Sequence, residues 1–202
     1  MIIIFNGNIY ENELFDGVDK PDAIFKNITF KNCSFKSCVF SHSEFEGCVF
    51  EKCKFYGIKF NGAIFAKTAF LNCKISFCSL FTAEYHDCKM TGSYFSDCDF
   101  ATVTINGGNW SYTGLNYADF SGKQLNNVNF SNSDLQRVDF SKAKLSGCNF
   151  SDAILSGASF ASADIRDNVF NGLDIKTVNL KNARIDLNLA VIIAESHGAK
   201  CF

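Results

Sequence analysis

The chain has 202 residues, of which 47% are apolar and 20% charged, a balance that is typical of a folded protein and excludes a disordered one. Its net charge is −2, with 19 basic and 21 acidic residues and no basic stripe, which argues against direct nucleic-acid binding. The amino terminus has only a short apolar run without a basic flank, and no apolar stretch is long enough to cross a membrane, so we expect a soluble cytoplasmic protein.

The first predicted element is an N-terminal cap with an irregular first coil, over residues 1–24. Positions 5, 10 and 15 carry aromatic side chains, but Lys20 follows at the same spacing, and Pro21 comes directly after it. A charged side chain suits an interior poorly, and proline has no backbone N–H to give to a strand ladder. The sequence therefore predicts a break or bulge before the regular coils.

A five-residue repeat occupies residues 25–185. Every residue in this range whose number is a multiple of five is apolar, which gives 33 positions without interruption, and 20 of the 23 phenylalanines in the chain lie on multiples of five. We call this position the centre. The residue two before the centre is mostly small or apolar, as at Cys48, Ala63 and Ala143. Two of every five side chains are therefore predicted to point inward.

Each repeat also contains a corner. Of the 14 glycines, 11 lie two residues after a centre, and asparagine takes the same position in other repeats. Both residues accept the positive φ that the third position of a type II turn requires. A corner every five residues leaves only a very short extended segment, which fits neither a helix nor an ordinary strand. The chain is predicted to coil as a narrow polygon.

These repeats resemble those of the pentapeptide-repeat family, through units such as ADFSG at 118–122, SDLQR at 133–137 and AILSG at 153–157. The resemblance implies an all-β fold, a right-handed quadrilateral parallel β-helix with four repeats, or about 20 residues, in each coil. The centre and the residue two before it would fill the interior. That interior is too narrow for a ligand, so we expect no cofactor.

The ten cysteines suggest either a disulfide framework or a metal site. Nine of them instead fall two residues before a centre, in the inward position. Cysteines 20 residues apart should stack in adjacent coils within disulfide range, as in Cys53 with Cys73 and Cys78 with Cys98. Parallel inward side chains and a reducing cytoplasm favour free structural thiols. Because no histidine takes an inward position, we expect no metal site.

The repeat stops after residue 185, and residues 186–202 are predicted to form a capping and dimerisation helix with a short tail. Asp186 suits the N-cap of this helix, and Gly198 suits the position after its end. Apolar residues cover more than one face, so that one face can cover the last coil and another can meet a second copy. We predict a homodimer joined at the carboxyl ends, through the candidate interface residues Leu187, Leu189, Val191, Ile192 and Ile193.

The carboxyl end of the chain resembles that of one subgroup of the pentapeptide-repeat family. Regular coils followed by an apolar helix, an acidic residue, a glycine and a short tail, over residues 190–200, look like the carboxyl end of the Qnr-type quinolone-resistance proteins. Those proteins are dimeric rods that bind DNA gyrase and topoisomerase IV and protect them from fluoroquinolones, in part through a surface that resembles duplex DNA. The resemblance therefore implies a type II topoisomerase as the protein partner.

Two groups of outward residues are candidates for the partner surface. Residues 20 apart stack on one face, which would place Asp99, Asp119 and Asp139 in one acidic column. Such a column is destabilising unless it is solvated or neutralised, and the simpler explanation is that Asp or Asn is the common residue before a centre. The second group consists of outward aromatic residues, which either contact a partner or stack on their neighbours in adjacent coils. These residues are Phe77, Phe81, Tyr112 and Tyr117.

No catalytic constellation is visible. His42 and His86 lie in outward positions and His197 lies in the terminal helix, so no nucleophile and base share a cleft. The glycines follow the five-residue period and form no phosphate-binding loop. We predict a non-enzymatic protein-binding rod. The alternative is a structural or scaffolding module with another protein partner, and a third possibility, an effector that acts on host proteins, has no visible secretion signal.

Overall fold

The computed structural model describes residues 7–201, which form two compact units, the first ending at Asn109 and the second beginning at Trp110. Both units are parallel β-solenoids in which a residue pairs with the residue 20 positions later. Each 20-residue coil has four sides of five residues. This pairing confirms the all-β parallel β-helix that the family resemblance implies.

Very short strands make up the first unit. They are β1 (Ile9–Glu11), β2 (Leu14–Asp16), β3 (Ile24–Lys26), β4 (Thr29–Lys31), β5 (Ser34–Lys36), β6 (Glu44–Glu46), β7 (Val49–Glu51), β8 (Lys54–Tyr56), β9 (Ile64–Ala66), β10 (Ala69–Leu71), β11 (Lys74–Ser76), β12 (Glu84–His86), β13 (Tyr94–Ser96), β14 (Thr104–Asn106) and β15 (Gly108–Asn109). Three sides of the coil are sheets, with the orders β1-β4-β7-β10, β2-β5-β8-β11-β13 and β3-β6-β9-β12-β14. The fourth side is joined by single bridges, from Asp19 through Val39 and Lys59 to Ser79.

The second unit contains β16 (Gln124–Asn126), β17 (Val128–Asn129), β18 (Lys144–Ser146) and the helix α1 (Leu187–Ser196). Strand β16 pairs with β18, and single bridges join most other sides of its coils. Strands are fewer here because most corners close with a hydrogen bond to the carbonyl of the centre, as from the Ala143 N–H to the Phe140 carbonyl at 3.0 Å. A closed turn takes its residues out of the extended conformation.

Phenylalanine rings fill the first unit in columns. The ring of Phe50 stacks on that of Phe30 in the preceding coil, with centroids 4.9 Å apart, and on that of Phe70 in the next coil, at 4.8 Å. Around its own coil, the same ring meets Phe45 and Phe55 edge-on. Stacked and edge-on contacts are the two arrangements that aromatic rings prefer. In the second unit, the phenylalanine columns stand on two opposite sides, with leucine centres between them.

Side chains at the inward position two residues before the centre also form hydrogen bonds with backbone groups at corners of the preceding coil. The Ser93 hydroxyl donates to the Phe70 carbonyl at 2.9 Å and accepts the Cys73 N–H at 3.0 Å. Asn168 bridges the equivalent pair in the second unit: its amide donates to the Leu145 carbonyl at 2.9 Å and accepts the Cys148 N–H. A polar inward side chain therefore satisfies buried backbone groups that would otherwise lack a partner.

The inward cysteines follow the same rule. Thiols of the first unit donate to carbonyls 23 residues earlier in the chain, at 3.2–3.4 Å. They belong to Cys38, Cys48, Cys53, Cys73 and Cys88. At one corner that closes itself, from the Ala63 N–H to the Phe60 carbonyl, the corresponding inward residue is the apolar Ala83. All ten cysteines are free thiols, and those in the interior are both small buried side chains and hydrogen-bond donors.

Replacing Ser93 by alanine is expected to lower the free energy of unfolding by about 1–3 kcal/mol, because the Phe70 carbonyl and the Cys73 N–H would be buried without a partner. Urea denaturation followed by circular dichroism measures this change. Ser34→Ala, on an outward position, is the matched control and should change the free energy by less than about 0.5 kcal/mol. Equal effects of the two substitutions would refute the corner-closing role.

Residues 7–24 are more regular than predicted, and residues 1–6 of the predicted cap lie outside the described residues. The expected break or bulge at Lys20 and Pro21 does not occur: the Lys20 N–H donates to the Val39 carbonyl, and the Asp22 N–H donates to the Ser41 carbonyl, both at 2.9 Å. Pro21 stands between these two donors, at the second position of a turn, where the backbone N–H takes no part in the ladder and proline is favoured. Lys20 is half-buried.

Helix α1 begins and ends as predicted. One carboxylate oxygen of Asp186 accepts a hydrogen bond from the Leu189 N–H at 2.9 Å, and the other accepts one from the Asp167 N–H at 2.9 Å. These two donors lower the pKa of the Asp186 carboxyl. Gly198, with φ of 89°, follows the last turn. The helix is thereby fixed to the last coils of the second unit.

Candidate protein-binding surface

An exposed aromatic pair stands on one side of the first unit. Tyr56 lies at the end of strand β8, and Phe77 lies at the corner that follows strand β11. Their rings meet edge-on with centroids 5.4 Å apart, yet each side chain remains 55% exposed. The two rings form an exposed apolar platform, and exposed aromatic residues are common at sites of protein contact.

Two lysines stand beside this platform. Lys54 and Lys74 are direct partners in the pairing of β8 with β11, and both are exposed. Neither makes an ion pair with any carboxylate in the part of the chain that the structure describes. Like charges on directly opposite residues of a sheet are destabilising. This side of the first unit therefore combines an uncompensated positive charge with apolar surface, which suits an acidic protein segment that also carries apolar side chains.

The backbone conformation of Phe77 is itself unfavourable. Phe77 has φ of 54°, in the left-handed region where most other corners of this chain carry Gly, Asn or another polar residue. Tyr112 and Tyr117 in the second unit take the same corner position, with φ of 57° and 65°. A bulky side chain in this conformation is uncommon and strained, and strained residues cluster at functional sites.

The outward aromatic residues do not all form one surface. Phe81 is exposed at the next corner of the first unit and makes no ring contact with Phe77. In the second unit, Tyr112 and Tyr117 are both exposed, and the Tyr117 hydroxyl accepts a hydrogen bond from Arg137 of the next coil at 3.1 Å. The guanidinium of Arg137 also lies 5.5 Å from the centroid of the Tyr117 ring. Tyr117 and Phe77 thus contact neighbours in adjacent coils and remain mostly exposed.

The acidic column is present in part. Asp119 and Asp139 are direct partners in the second unit, whereas Asp99 lies in the first unit. Each carboxylate accepts the backbone N–H two residues later, which is Ser121 for Asp119 and Ser141 for Asp139, at 2.8 and 2.7 Å. These bonds give the aspartates a structural role at their corners. The second oxygen of each carboxylate remains available to a partner.

The terminal helix keeps an apolar surface. Leu189 is only 2% exposed because the second unit itself buries it, so it is not available to a second copy. Leu187 is 79% exposed, and Val191, Ile192 and Ile193 are half-buried. Val191 and Ile192 also line a groove of about 450 Å³ between the helix and the last coils. Four of the five candidate dimer residues therefore retain surface that another molecule could cover.

Among residues 7–201, no three His, Cys, Asp or Glu side chains are close enough to share a metal ion. His86 pairs with Glu84 at 2.9 Å on the surface, and His197 bonds the Ile193 carbonyl at the end of α1. The described helix is too short to cross a membrane. The side chains that stand out chemically are therefore the surface groups described above and the thiols of the interior.

Sequence reasoning missed Tyr56 and the two lysines. Tyr56 stands directly after a centre, the same repeat position that the candidate Phe81 takes. Lys54 and Lys74 are 20 residues apart, so counting in coils would have found them in the way that it found the aspartates. Contact between the Tyr56 and Phe77 rings, however, depends on how a corner projects over the preceding coil, which the five-residue pattern does not specify.

Comparisons with known proteins agree on the fold. Residues 43–115 match the family model described as "Pentapeptide repeat region", and residues 22–51, 115–152 and 143–182 match "Pentapeptide repeats (8 copies)". No curated protein matches the sequence. Two trypsin-treated forms of QnrB1, described as a plasmid-mediated fluoroquinolone resistance protein, are similar in structure. One has a TM-score of 0.78 at 24% identity over 96% of this chain and 97% of that one; the other has 0.66 at 22% over 96% and 99%.

Proposed function

Because this chain belongs to the pentapeptide-repeat family, we propose that it is a non-enzymatic solenoid that binds another protein through its outer surface. The observation that carries this proposal is the platform of Tyr56 and Phe77 beside the lysine pair. Exposed rings, a strained corner and unneutralised like charges each reduce stability. Their coincidence on one side is most simply explained by a partner that repays these costs on binding.

The partner that we propose is a type II topoisomerase. The likeness to QnrB1, a protein named for fluoroquinolone resistance, extends over nearly the whole of both chains and supports this choice. Asp119 and Asp139 present two carboxylates one coil apart in the second unit, and they supply negative charge where a topoisomerase would otherwise hold DNA phosphates. The aromatic platform of the first unit would contact a separate, acidic part of the enzyme.

We further propose that the chain acts as a homodimer joined through α1. Leu187, Val191, Ile192 and Ile193 keep exposed apolar surface after the helix has covered the last coil. A second copy that contacts the same residues by two-fold symmetry would bury this surface. The alternative, a scaffolding module with a different protein partner, would use the same platform and needs no dimer.

The test is gyrase supercoiling in the presence of ciprofloxacin, with increasing amounts of the purified chain. We expect the drug concentration that halves supercoiling to rise several-fold once the protein matches gyrase in amount. An Ile192→Asp/Ile193→Asp variant, which places charges on the proposed dimer surface, should give less protection and should sediment as a monomer. If an excess of the wild-type chain leaves the drug's effect unchanged, the topoisomerase proposal is wrong and the scaffolding module becomes the better explanation.

A further inference from the structure

Cys78 and Cys98 form a pair of thiols unlike the other cysteines of the interior. They occupy the same inward position in adjacent coils, two residues after the paired residues Ser76 and Ser96. Cys78 is buried, but Cys98 is the one inward cysteine that is partly exposed to solvent. Neighbouring strands in a sheet are about 4.8 Å apart, which lies within the Cα separation of about 4.4–6.8 Å that disulfides span.

The strand ladder is interrupted beside this pair. On this side of the first unit, the Phe40 N–H donates to the Lys59 carbonyl and the Phe60 N–H donates to the Ser79 carbonyl, both at 2.8 Å. No corresponding bridge joins Ser79 to the next coil within the described residues. The Thr82 N–H bonds the Thr102 hydroxyl instead of a backbone carbonyl. The backbone around Cys98 is therefore less constrained than that of an intact ladder.

The two thiols have unequal acidity. The pKa of Cys98 is lowered, chiefly by a hydrogen bond from the Cys78 thiol and also by the Cys78 backbone N–H. The contact with the Cys98 thiol and deeper burial raise the pKa of Cys78. A partly exposed thiol of lowered pKa beside a second thiol is the arrangement found in reactive, oxidation-sensitive cysteines.

We propose that Cys98 is a modification site for hydroperoxides and other soft electrophiles, and that Cys78 resolves its oxidised form into an intramolecular disulfide. The Cys98 thiolate attacks hydrogen peroxide, an S–O bond forms as the O–O bond breaks, and the hydroxide released takes up a proton to become water. The Cys78 sulfur then attacks the sulfenic sulfur of Cys98. The S–S bond forms, the Cys78 proton leaves with the hydroxyl group as water, and two thiols have reduced one peroxide to two waters.

The chain contains its own control pair. Cys53 and Cys73 also stack in adjacent coils, but both are fully buried. The ladder around them is continuous, since β7 pairs with β10 and β8 pairs with β11. The neighbouring Cys73 thiol and burial raise the pKa of Cys53. The same stacking without exposure or an interrupted ladder should leave Cys53 and Cys73 unreactive.

The test uses the reduced, folded chain with Cys201→Ser, which removes the exposed thiol near the carboxyl end. After brief exposure to hydrogen peroxide, remaining thiols are alkylated in denaturant and the peptides are identified by mass spectrometry. We expect a Cys78–Cys98 disulfide, with Cys53 and Cys73 alkylated. Without peroxide, iodoacetamide should label Cys98 at least about tenfold faster than Cys73.

Two variants separate the roles of the two cysteines. In Cys78→Ser, peroxide should leave a sulfenic acid on Cys98 that dimedone traps. In Cys98→Ser, Cys78 should stay a thiol, because it is buried and lacks the partner that is oxidised first. Oxidation of Cys53 and Cys73 to the same extent as Cys78 and Cys98, or labelling of Cys98 no faster than Cys73, would overturn the proposal.

Discussion

Phe50→Ala is expected to lower the free energy of unfolding of the first unit by about 3–5 kcal/mol, which is a large fraction of the stability of an ordinary domain. The Phe50 ring is stacked between those of Phe30 and Phe70 and meets two further rings of its own coil edge-on. Its removal leaves a cavity in a column that has little freedom to collapse, because each coil is held at the strand spacing by its neighbours. Guanidinium denaturation measures the change.

Two controls define this effect. Phe50→Leu keeps most of the volume and should cost less than about 1.5 kcal/mol. Phe81→Ala removes an exposed phenylalanine and should cost less than about 0.5 kcal/mol. In hydrogen exchange, Phe50→Ala should weaken protection most in its own coil and the two beside it, since each coil contacts only its neighbours. A cost for Phe50→Ala as small as that for Phe81→Ala would contradict the stacked core.

Tyr56→Ala/Phe77→Asn is expected to weaken binding to gyrase by about tenfold or more, which corresponds to about 1.4 kcal/mol or more of binding free energy. Both rings are exposed and support no other part of the interior, so their loss should act on the partner contact. Asparagine is chosen because it accepts the positive φ of position 77. The variant should therefore be at least as stable as the wild-type chain, which separates lost binding from misfolding.

The matched control is Ile24→Ala, which removes an exposed apolar side chain from a different side of the first unit. It should leave the affinity for gyrase unchanged. Equal affinities of the wild-type chain and Tyr56→Ala/Phe77→Asn would show that the platform does not contact this partner. A loss of affinity in Ile24→Ala of the same size would show that the contact is not confined to the platform.

Part of the fold follows from the five-residue period. Because every centre from Phe25 to Ile185 is apolar, the period predicts a narrow coil with these side chains and nine of the cysteines inside. The four-sided parallel β-helix was implied by the resemblance to pentapeptide-repeat proteins. The N-cap at Asp186 was also predictable from the sequence, since aspartate directly before an apolar helical run is a preferred N-cap residue.

Other features of the fold depend on hydrogen bonds that the five-residue sequence pattern does not reveal. Lys20 and Pro21 suggested a break, but the corner that they occupy does not use the proline N–H. Which corners close themselves, and which need Ser93 or Asn168 from the next coil, depends on backbone geometry at each corner. The interrupted strand ladder beside Cys98 was equally unpredictable, because the sequence there keeps the five-residue repeat although the backbone hydrogen bonds of the ladder are missing.

The partner surface was only partly predictable. Phe77, Tyr112 and Tyr117 stood out as aromatic residues in outward positions, and the structure adds that each takes the positive φ of a corner. Their neighbours across coils, such as Tyr56 beside Phe77 and Arg137 beside Tyr117, are set by how side chains lean over the preceding coil. The period gives the column in which a residue stands but not the direction of its side chain.

The most direct measurement is a binding titration of the purified wild-type chain against intact DNA gyrase, with and without competing duplex DNA. Our account predicts saturable binding that duplex DNA weakens, since Asp119 and Asp139 would occupy part of the DNA site. Absence of binding at protein concentrations well above those needed for gyrase activity would contradict the account, as would binding that duplex DNA leaves unchanged and that Tyr56→Ala/Phe77→Asn retains in full.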